Sequence, residues 1–218
     1  MSCRLVIDSS LLDWSADLPQ EPPDEDVVCK CDARNVMNSV LRHDYHLWLS
    51  TDLYDEMCDQ LYDQKKPEYK FRQWPRLWLQ TMQERRRIEN VQIPFENVLQ
   101  GVQMCNEMVK DAHLIESALS SDGCVISRDE KILACWIGLC HKNPPAAIVT
   151  AHPKISSIVW ADPQVQGEDV VWWLDAGAPE ADAEAWKLNN QSQLEHGCQD
   201  YQTDKCVLDS GRSSGGST

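Results

Sequence analysis

A carboxylate at position 111 begins a helical pattern and lies on the side of that helix that we expect to be buried. Apolar residues recur after it at helical spacing, at Leu114, Ile115, Ala118 and Leu119. Because Asp111 lies three residues before Leu114, one helical turn puts its side chain on the same face as these core positions. A carboxylate directed along a buried face is unfavourable unless a partner or a metal ion accompanies it. The pattern therefore predicts a polar site at the start of this helix.

Two further acids directly follow short apolar runs. Residues 5–7 (Leu-Val-Ile) form a buried-strand pattern that ends on Asp8, and residues 124–127 form a β-prone run that ends on Arg128 and Asp129. In open parallel sheets, binding and catalytic sites lie at the carboxyl ends of the strands. If both runs belong to one parallel sheet, Asp8 and Asp129 lie on the same edge, within reach of the Asp111 helix. A helix cap is the other role open to Asp8.

A fourth acid, Glu56, lies in a helical pattern that follows the cap-type residues 50–52. Its neighbours Leu53, Met57 and Leu61 form the inner face, so we expect Glu56 to look toward the strand ends, with a solvated surface position as the alternative. Carboxylates do not gather without a cation, because each raises the pKa of the others. Hard divalent cations prefer oxygen ligands, and they can activate water and hold a phosphodiester for in-line attack. The residues alone thus indicate an acidic metal site, with phosphate-ester hydrolysis as the candidate reaction.

Strand and helix patterns alternate along the chain and would position these acids. A chain of 218 residues with 42% hydrophobic content suits one α/β domain with an appendage. We predict a domain over residues 1–176, with an insertion around 62–100, and a disordered polar tail over 177–218. The remaining predicted elements are a surface loop over 14–28, a helix over 32–42, a strand over 46–49, a continuation of helix over 97–108, a helix or apolar element over 132–139, a last strand over 155–160 and a helix over 169–174.

Composition limits the compartment and the partners that we expect. The net charge of −15 argues against a general polyanion binder. The opening residues do not form a signal-peptide pattern, and no stretch approaches the length of a membrane span. The ten scattered cysteines fit reduced thiols, so we expect a cytoplasmic protein without a membrane partner. Cys135, Cys140 and His141 lack an evident fourth zinc ligand, which makes buried thiols the preferred interpretation.

Residues 65–87 are more basic and more aromatic than the rest of the chain. This basic–aromatic segment holds eight of the chain's 20 basic residues: Lys65, Lys66, Lys70, Arg72, Arg76, Arg85, Arg86 and Arg87. Tyr69, Phe71, Trp74 and Trp78 are interleaved with them, and this mixture is typical of proteins that bind single-stranded nucleic acid. An amphipathic helix from Pro75 onward, with Trp78 and Met82 in the core and the arginines in solvent, is the structural alternative. The two interpretations are compatible.

Four short motifs, taken in order, resemble the PIN (PilT N-terminus) domain family. These motifs are Val6-Ile7-Asp8-Ser9-Ser10, Leu53-Tyr54-Asp55-Glu56, Lys110-Asp111-Ala112-His113-Leu114-Ile115-Glu116-Ser117-Ala118 and Val125-Ile126-Ser127-Arg128-Asp129. Members of that family are metal-dependent nucleases, and many are the toxins of toxin–antitoxin pairs. The resemblance covers residues 1–176 and implies a three-layer α/β/α sandwich around a central, mainly parallel sheet.

The resemblance also implies a set of functional residues and a reaction. It assigns Asp8, Glu56, Asp111 and Asp129 to the coordination of one or two Mg²⁺ or Mn²⁺ ions, with Asp8 the most direct ligand and Glu56 orienting the attacking water. The implied activity is an endoribonuclease that hydrolyses RNA and leaves a 5′ phosphate and a 3′ hydroxyl. The residues that we expect to contact RNA are Ser127, Arg128, Lys65, Lys66, Lys70, Arg72 and Arg76.

The chain departs from the short toxins of that family, and these departures leave alternatives open. It carries an acidic loop after the first strand, the basic–aromatic segment and an additional segment over 131–154. Whether it has a cognate antitoxin therefore stays open, as does a homodimer. The alternative function is a catalytically weak or inactive PIN-like module that binds a protein partner through its tryptophan-rich surface. The presence of all four acids favours the nuclease.

Overall fold

The computed structural model describes residues 3–16, 25–61, 73–91, 99, 106–141, 152 and 154–191. In chain order the elements are β1 (Arg4–Ile7), α1 (Ser10–Ala16), α2 (Glu25–Arg42), β2 (His46–Ser50), α3 (Thr51–Gln60), α4 (Gln73–Glu84), β3 (Ile88–Val91), α5 (Asn106–Lys110), α6 (Ala112–Leu119), β4 (Cys124–Ile126), α7 (Glu130–His141), a 3₁₀ helix (Ile155–Ser157), β5 (Val159–Ala161), α8 (Pro163–Gln166), α9 (Glu168–Asp175) and a second 3₁₀ helix (Glu180–Trp186).

The five strands form one parallel sheet in the order β3-β2-β1-β4-β5. The predicted α/β class is thereby confirmed. The chain first adds β2 and β3 on one side of β1 and then crosses to add β4 and β5 on the other side. β1 and β4 are therefore neighbours at the topological switch point of the sheet, with Ile7 paired to Ile126. Ligands of open parallel sheets bind at the carboxyl ends of the strands beside such a point.

Helices cover both faces of the sheet, as the three-layer sandwich requires. α2 packs against α1, α8 and α9, and α1 also packs against α4, while α6 packs against β1, β2 and β4 together with α5. β1 is apolar without alternation (Leu5, Val6 and Ile7 are fully buried) because both of its faces are covered. None of the helices in the described ranges has the length and hydropathy needed to cross a membrane.

α4 confirms the amphipathic interpretation for Trp78, Met82 and Arg76, but the prediction of solvent-exposed arginines is wrong for Arg87, which follows the helix and has a side chain that is only 15% exposed. Trp78 is 2% exposed and Met82 is fully buried. The Trp78 indole N–H donates to the carbonyl oxygen of Met37 in α2 at 2.8 Å, which satisfies the polar atom of a buried ring. The outer face of α4 carries the exposed residues Arg76 and Leu77.

Several element boundaries differ from the prediction. The surface loop predicted over residues 14–28 is wrong at both ends, because α1 extends to residue 16 and α2 begins at residue 25. β3 was not predicted, since this edge strand is only partly buried and contains no apolar run. The predicted last strand over 155–160 begins as a 3₁₀ helix, and β5 itself is shorter. The predicted helical continuation over 97–108 lies mostly outside the described residues.

The folded domain extends beyond residue 176. Ala183 and Leu188 are fully buried, and the Leu188 N–H donates to the Ile158 carbonyl at 2.9 Å. Lys187 also forms an antiparallel bridge with Val159 of β5. The prediction of a disordered tail is therefore wrong for residues 177–191, because isolated apolar residues among polar ones give no periodic signal. Residues 192–218 lie outside the described residues.

A tight turn connects α6 to β4. Gly123 has a φ of +78°, a left-handed conformation that glycine adopts without strain. The Asp122 carboxylate accepts a hydrogen bond from the Arg4 N–H at 2.7 Å, which joins this turn to the start of β1. Asp122 thus has a structural role in the turn, as the Ser-Asp-Gly sequence predicts.

Candidate active site

Asp8 lies at the carboxyl end of β1, where serine donors surround its carboxylate. The residue is 8% exposed. Its Oδ2 accepts hydrogen bonds from the hydroxyls of Ser127 at 2.6 Å and Ser10 at 2.8 Å. Its Oδ1 accepts one from the Ser10 backbone N–H at 3.1 Å, which fixes the entry into α1. The carboxylate is therefore held in one orientation. It accepts hydrogen bonds both from the first residue of α1 and from Ser127, which follows the neighbouring strand β4.

Ser127 connects Asp8 to Asp129 across the switch point. Its hydroxyl is fully buried; it donates to Asp8 and accepts the Asp129 N–H at 3.1 Å. The Asp129 carboxylate accepts the Ile132 N–H at 2.9 Å and so caps the start of α7. The two acids that were predicted to follow strands thus lie at the ends of adjacent strands, as the pairing of β1 with β4 requires.

Glu56 reaches the same edge from α3. Its side chain is 43% exposed, and its Oε2 lies 3.4 Å from Nε2 of His113 and 3.4 Å from the Ser9 hydroxyl. The Ser9 hydroxyl is also 3.5 Å from Asp8 Oδ1, so this one serine lies between Asp8 and Glu56. Partial burial opposes ionisation of Glu56, but the contacts with His113 and Ser9 outweigh it and hold the pKa of Glu56 below its ordinary value.

Asp111 occupies the N-cap position of α6, as predicted, but its side chain makes no capping hydrogen bond. Burial is the main reason that the pKa of Asp111 is raised to about 6. The negative charges of Asp8, Asp129 and Glu56 act in the same direction. His113, which is 3% exposed, opposes them. Asp111 therefore lies within the electrostatic field of the other three acids, and we call these four residues the acidic edge.

The donors of the acidic edge are oxygens, the ligand type that Mg²⁺ and Mn²⁺ prefer. Within the described ranges, however, no three His, Cys, Asp or Glu side chains are close enough together to hold one ion in their present positions. The chemistry of the residues fits a hard divalent cation. To share one ion, the carboxylates would have to approach one another, and Asp8 would have to give up part of its present hydrogen bonding.

The residues predicted to bind substrate have different surroundings. Arg128 lies over the indole of Trp14, with its guanidinium carbon 3.0 Å from the ring centroid, and its Nη2 donates to Gln164 Oε1 at 2.6 Å. Ser127 faces Asp8 inside the protein. Arg76 is exposed on α4. The other predicted residues lie outside the described part of the chain: Lys65, Lys66, Lys70 and Arg72.

Asp162 is a further acid at this edge of the sheet, and it was not among the predicted site residues. It directly follows β5 and is fully buried. Its Oδ1 accepts the Gln164 N–H at 2.8 Å, while its Oδ2 has no hydrogen-bond partner among the described residues. Burial raises the pKa of Asp162 to about 6, although the nearby Arg128 opposes the shift. The sequence does contain a pattern that indicates Asp162, because an apolar run ends on this acid. The predicted strand stopped at Trp160 and so did not reach it.

His113 was also missed, for a different reason. It lies within the apolar stripe of α6, where a histidine is consistent with an ordinary core position. Burial lowers the pKa of His113, but the neighbouring carboxylates, Glu56 first among them, outweigh burial and raise it. Only the packing of α6 beside α3 identifies Glu56 as its partner.

Two other candidate sites lie away from the acidic edge. A cavity of about 470 Å³ opens at the opposite, amino edge of the sheet, where Cys3, Gly123 and Ile158 precede three of the strands. In α7, Cys135 and Cys140 are partly buried, and burial raises the pKa of Cys140 to about 11. This agrees with the interpretation of these cysteines as buried thiols.

In comparisons with known proteins, the chain matched no family model, no curated protein and no solved structure.

Proposed function

We propose that this protein is a metal-dependent endoribonuclease that hydrolyses RNA at its acidic edge. The observation that carries the proposal is the serine-linked series of acids at the switch point. Ser127 hydrogen-bonds both Asp8 and Asp129, and Ser9 lies between Asp8 and Glu56. Oxygen donors at the carboxyl ends of parallel strands suit a divalent cation and a phosphate substrate.

We assign different roles to the residues of the acidic edge. Asp8, Asp111 and Asp129 would hold one or two Mg²⁺ or Mn²⁺ ions, which when bound neutralise phosphate charge and lower the pKa of a bound water. Glu56, which is 43% exposed, would orient the attacking water and accept its proton. As the water oxygen bonds to phosphorus, the bond from phosphorus to the 3′ oxygen breaks. The products are a 5′ phosphate and, after protonation by solvent, a 3′ hydroxyl.

The decisive experiment is an RNA cleavage assay with the full-length protein. We expect a mixed RNA pool to be cut in the presence of Mn²⁺ and to stay intact in EDTA. Asp8→Asn and Asp129→Asn should abolish cleavage while the protein stays folded. Asp182→Asn is the matched control, because Asp182 is an exposed acid in the C-terminal 3₁₀ helix and should leave the rate unchanged. Uncut RNA with the wild-type protein, or equal rates in all variants, would reject the nuclease.

A PIN-like interaction module with little or no catalysis is the second candidate. It is favoured by the lack of a ready three-ligand group within the described residues. Exposed apolar side chains on the consecutive helices α8 and α9 also favour it: Val165 is 52% exposed and Trp172 is 65% exposed. A folded wild-type protein that leaves RNA intact with Mn²⁺ would support this second function.

A further inference from the structure

Two arginine–tryptophan stacks lie near the end of the short helix α1. In the first, Arg128 lies over the ring of Trp14, 3.0 Å from its centroid. In the second, Arg34 of α2 lies over Trp74 of α4, with 4.8 Å between the guanidinium carbon and the ring centroid. Both tryptophans are partly exposed, so each stack is accessible from solvent at the surface of the molecule.

Hydrogen bonds fix the plane of each guanidinium group. Arg34 donates from Nε and Nη2 to the carbonyl oxygen of Ser15, at 3.0 and 2.5 Å. Arg128 donates to Gln164. Because Ser15 follows Trp14 in α1, both stacks meet at the same end of this helix. A planar cation that is already oriented loses less side-chain entropy when a ligand binds.

The two stacks connect the acidic edge with α4. Arg128 stands between Ser127 and Asp129, at the acidic edge itself. Trp74 belongs to the basic–aromatic segment, whose described part begins with α4. α1 starts two residues after Asp8 and contacts α4. α1 thus extends from Asp8, which accepts the N–H of its first residue, to the stacked ring of Trp14, and it contacts α4.

We propose that the two stacks form a binding track for single-stranded RNA that leads from the acidic edge, over the end of α1, to α4. Flat rings and guanidinium planes stack with unpaired bases, and the same guanidinium groups contact phosphates. The chain has a net charge of −15, so attraction of RNA depends on such local cations and not on the overall field. The direction of the track rests on the proposed function, whereas RNA binding on it requires neither metal nor cleavage.

The test is a binding measurement in EDTA, which keeps the RNA intact. Fluorescence anisotropy of a labelled, mixed-sequence RNA about 12 nucleotides long would report affinity for the full-length protein. The variants are Arg34→Ala and Arg128→Ala. The matched control is Arg4→Ala, because Arg4 also stacks on a tryptophan (Trp48, at 4.6 Å) but lies at the amino end of β1. All three variants lose one positive charge and one stack.

We expect each track variant to weaken binding by roughly 5- to 100-fold, the effect of one lost base stack. The slope of log K against log salt should fall by about 0.7 for each arginine removed. Arg4→Ala should bind like the wild type. Arg34→Lys and Arg128→Lys should retain the salt slope and lose affinity, since lysine keeps the charge without the planar group. These two variants also carry the test if the alanine variants fail to fold.

Equal affinity losses in Arg34→Ala, Arg128→Ala and Arg4→Ala would overturn the track, as would wild-type affinity in the folded lysine variants. Displacement of the RNA by a poly-glutamate peptide at equal charge concentration would assign this surface to an acidic protein segment instead, and would also overturn it. The two proposals fail separately. If RNA binds on the track but is not cut, the proposed nuclease activity is rejected and the track is not. If RNA is cut in a metal-dependent reaction but the track variants bind it as the wild type does, the track is rejected and the nuclease activity is not.

Discussion

Glu116 is a buried carboxyl group whose ionisation we expect to affect the stability of this protein. It lies on α6 and is 2% exposed, and its Oε2 has no hydrogen-bond partner among the described residues. Burial raises the pKa of Glu116 to about 7, with His113 opposing the shift and Asp52 adding to it. A carboxyl group in such a place is more stable protonated than ionised.

The pKa of Glu116 gives the sign of the expected pH effect. Its folded-state value of about 7 exceeds the ordinary 4.5, so the stabilisation is complete below pH 4.5 and is lost as pH rises through 7. Glu116→Gln removes this loss. We expect the variant to gain about 1–3 kcal/mol over the wild type at pH 8 and little at pH 4.5. Melting temperatures between pH 4.5 and 8 would measure it, and parallel curves for the two proteins would contradict the assignment.

Asp8 allows a second test at the residue scale, on stability without metal. Asn at position 8 retains an acceptor for the Ser10 N–H and removes the repulsion that Asp8 exerts on Asp111. We therefore expect Asp8→Asn to leave stability unchanged or to raise it. In Asp8→Asn an amide N–H takes the place of Oδ2, and the Ser10 and Ser127 hydroxyls can turn to accept from it, whereas Asp8→Ala leaves both without a side-chain partner at position 8 and should cost about 1–2 kcal/mol. Urea unfolding in EDTA would give the free energy of unfolding of both variants. A clear loss of stability in Asp8→Asn would mean that the negative charge of Asp8 stabilises the fold.

At the scale of elements, the C-terminal segment is part of the core. Leu188 is fully buried, and its N–H is hydrogen-bonded to the residue before β5. We expect Leu188→Ala to lower the free energy of unfolding by about 2–4 kcal/mol, through lost apolar burial and the cavity that remains. Asn189→Ala is the control, because the Asn189 side chain is exposed. The backbone N–H of Asn189 donates to the Ser156 carbonyl, and the substitution leaves this hydrogen bond in place. Equal unfolding energies in both variants would mean that this segment does not support the sheet.

At the scale of the whole molecule, metal binding and folding are linked. A cation that binds only the folded protein stabilises it by about 2.7 kcal/mol at 100 times its dissociation constant. For a chain of this size we expect a rise in melting temperature of about 5–10 °C with Mn²⁺. Asp8→Asn and Asp129→Asn should lose the rise, and Asp182→Asn should retain it. An unchanged melting temperature in the wild type would argue against a metal site at the acidic edge.

Patterns of residues that are close together in the sequence gave the most reliable predictions. The apolar run before Asp8, the run before Ser127 and the stripe that follows Asp111 each correspond to an element that the structure contains. Such patterns reflect burial of neighbouring residues on one face, which the local periodicity records. β3 and the segment around Leu188 escaped prediction because their few apolar residues are buried by distant parts of the chain.

The sequence by itself determined the α/β class, the strands that end on acids and the oxygen-rich chemistry of the candidate site. The tertiary structure decided which of these residues meet. Ser127 and Asp8 are 119 positions apart, and they form a hydrogen bond because β4 lies beside β1 in the sheet. In the same way, the packing of α6 beside α3 brings His113 to Glu56. Tertiary packing also places Arg34 of α2 over Trp74 of α4, and Arg128, which follows β4, over Trp14 of α1. Strand order and helix packing depend on how the whole core fills space, and no local pattern encodes them.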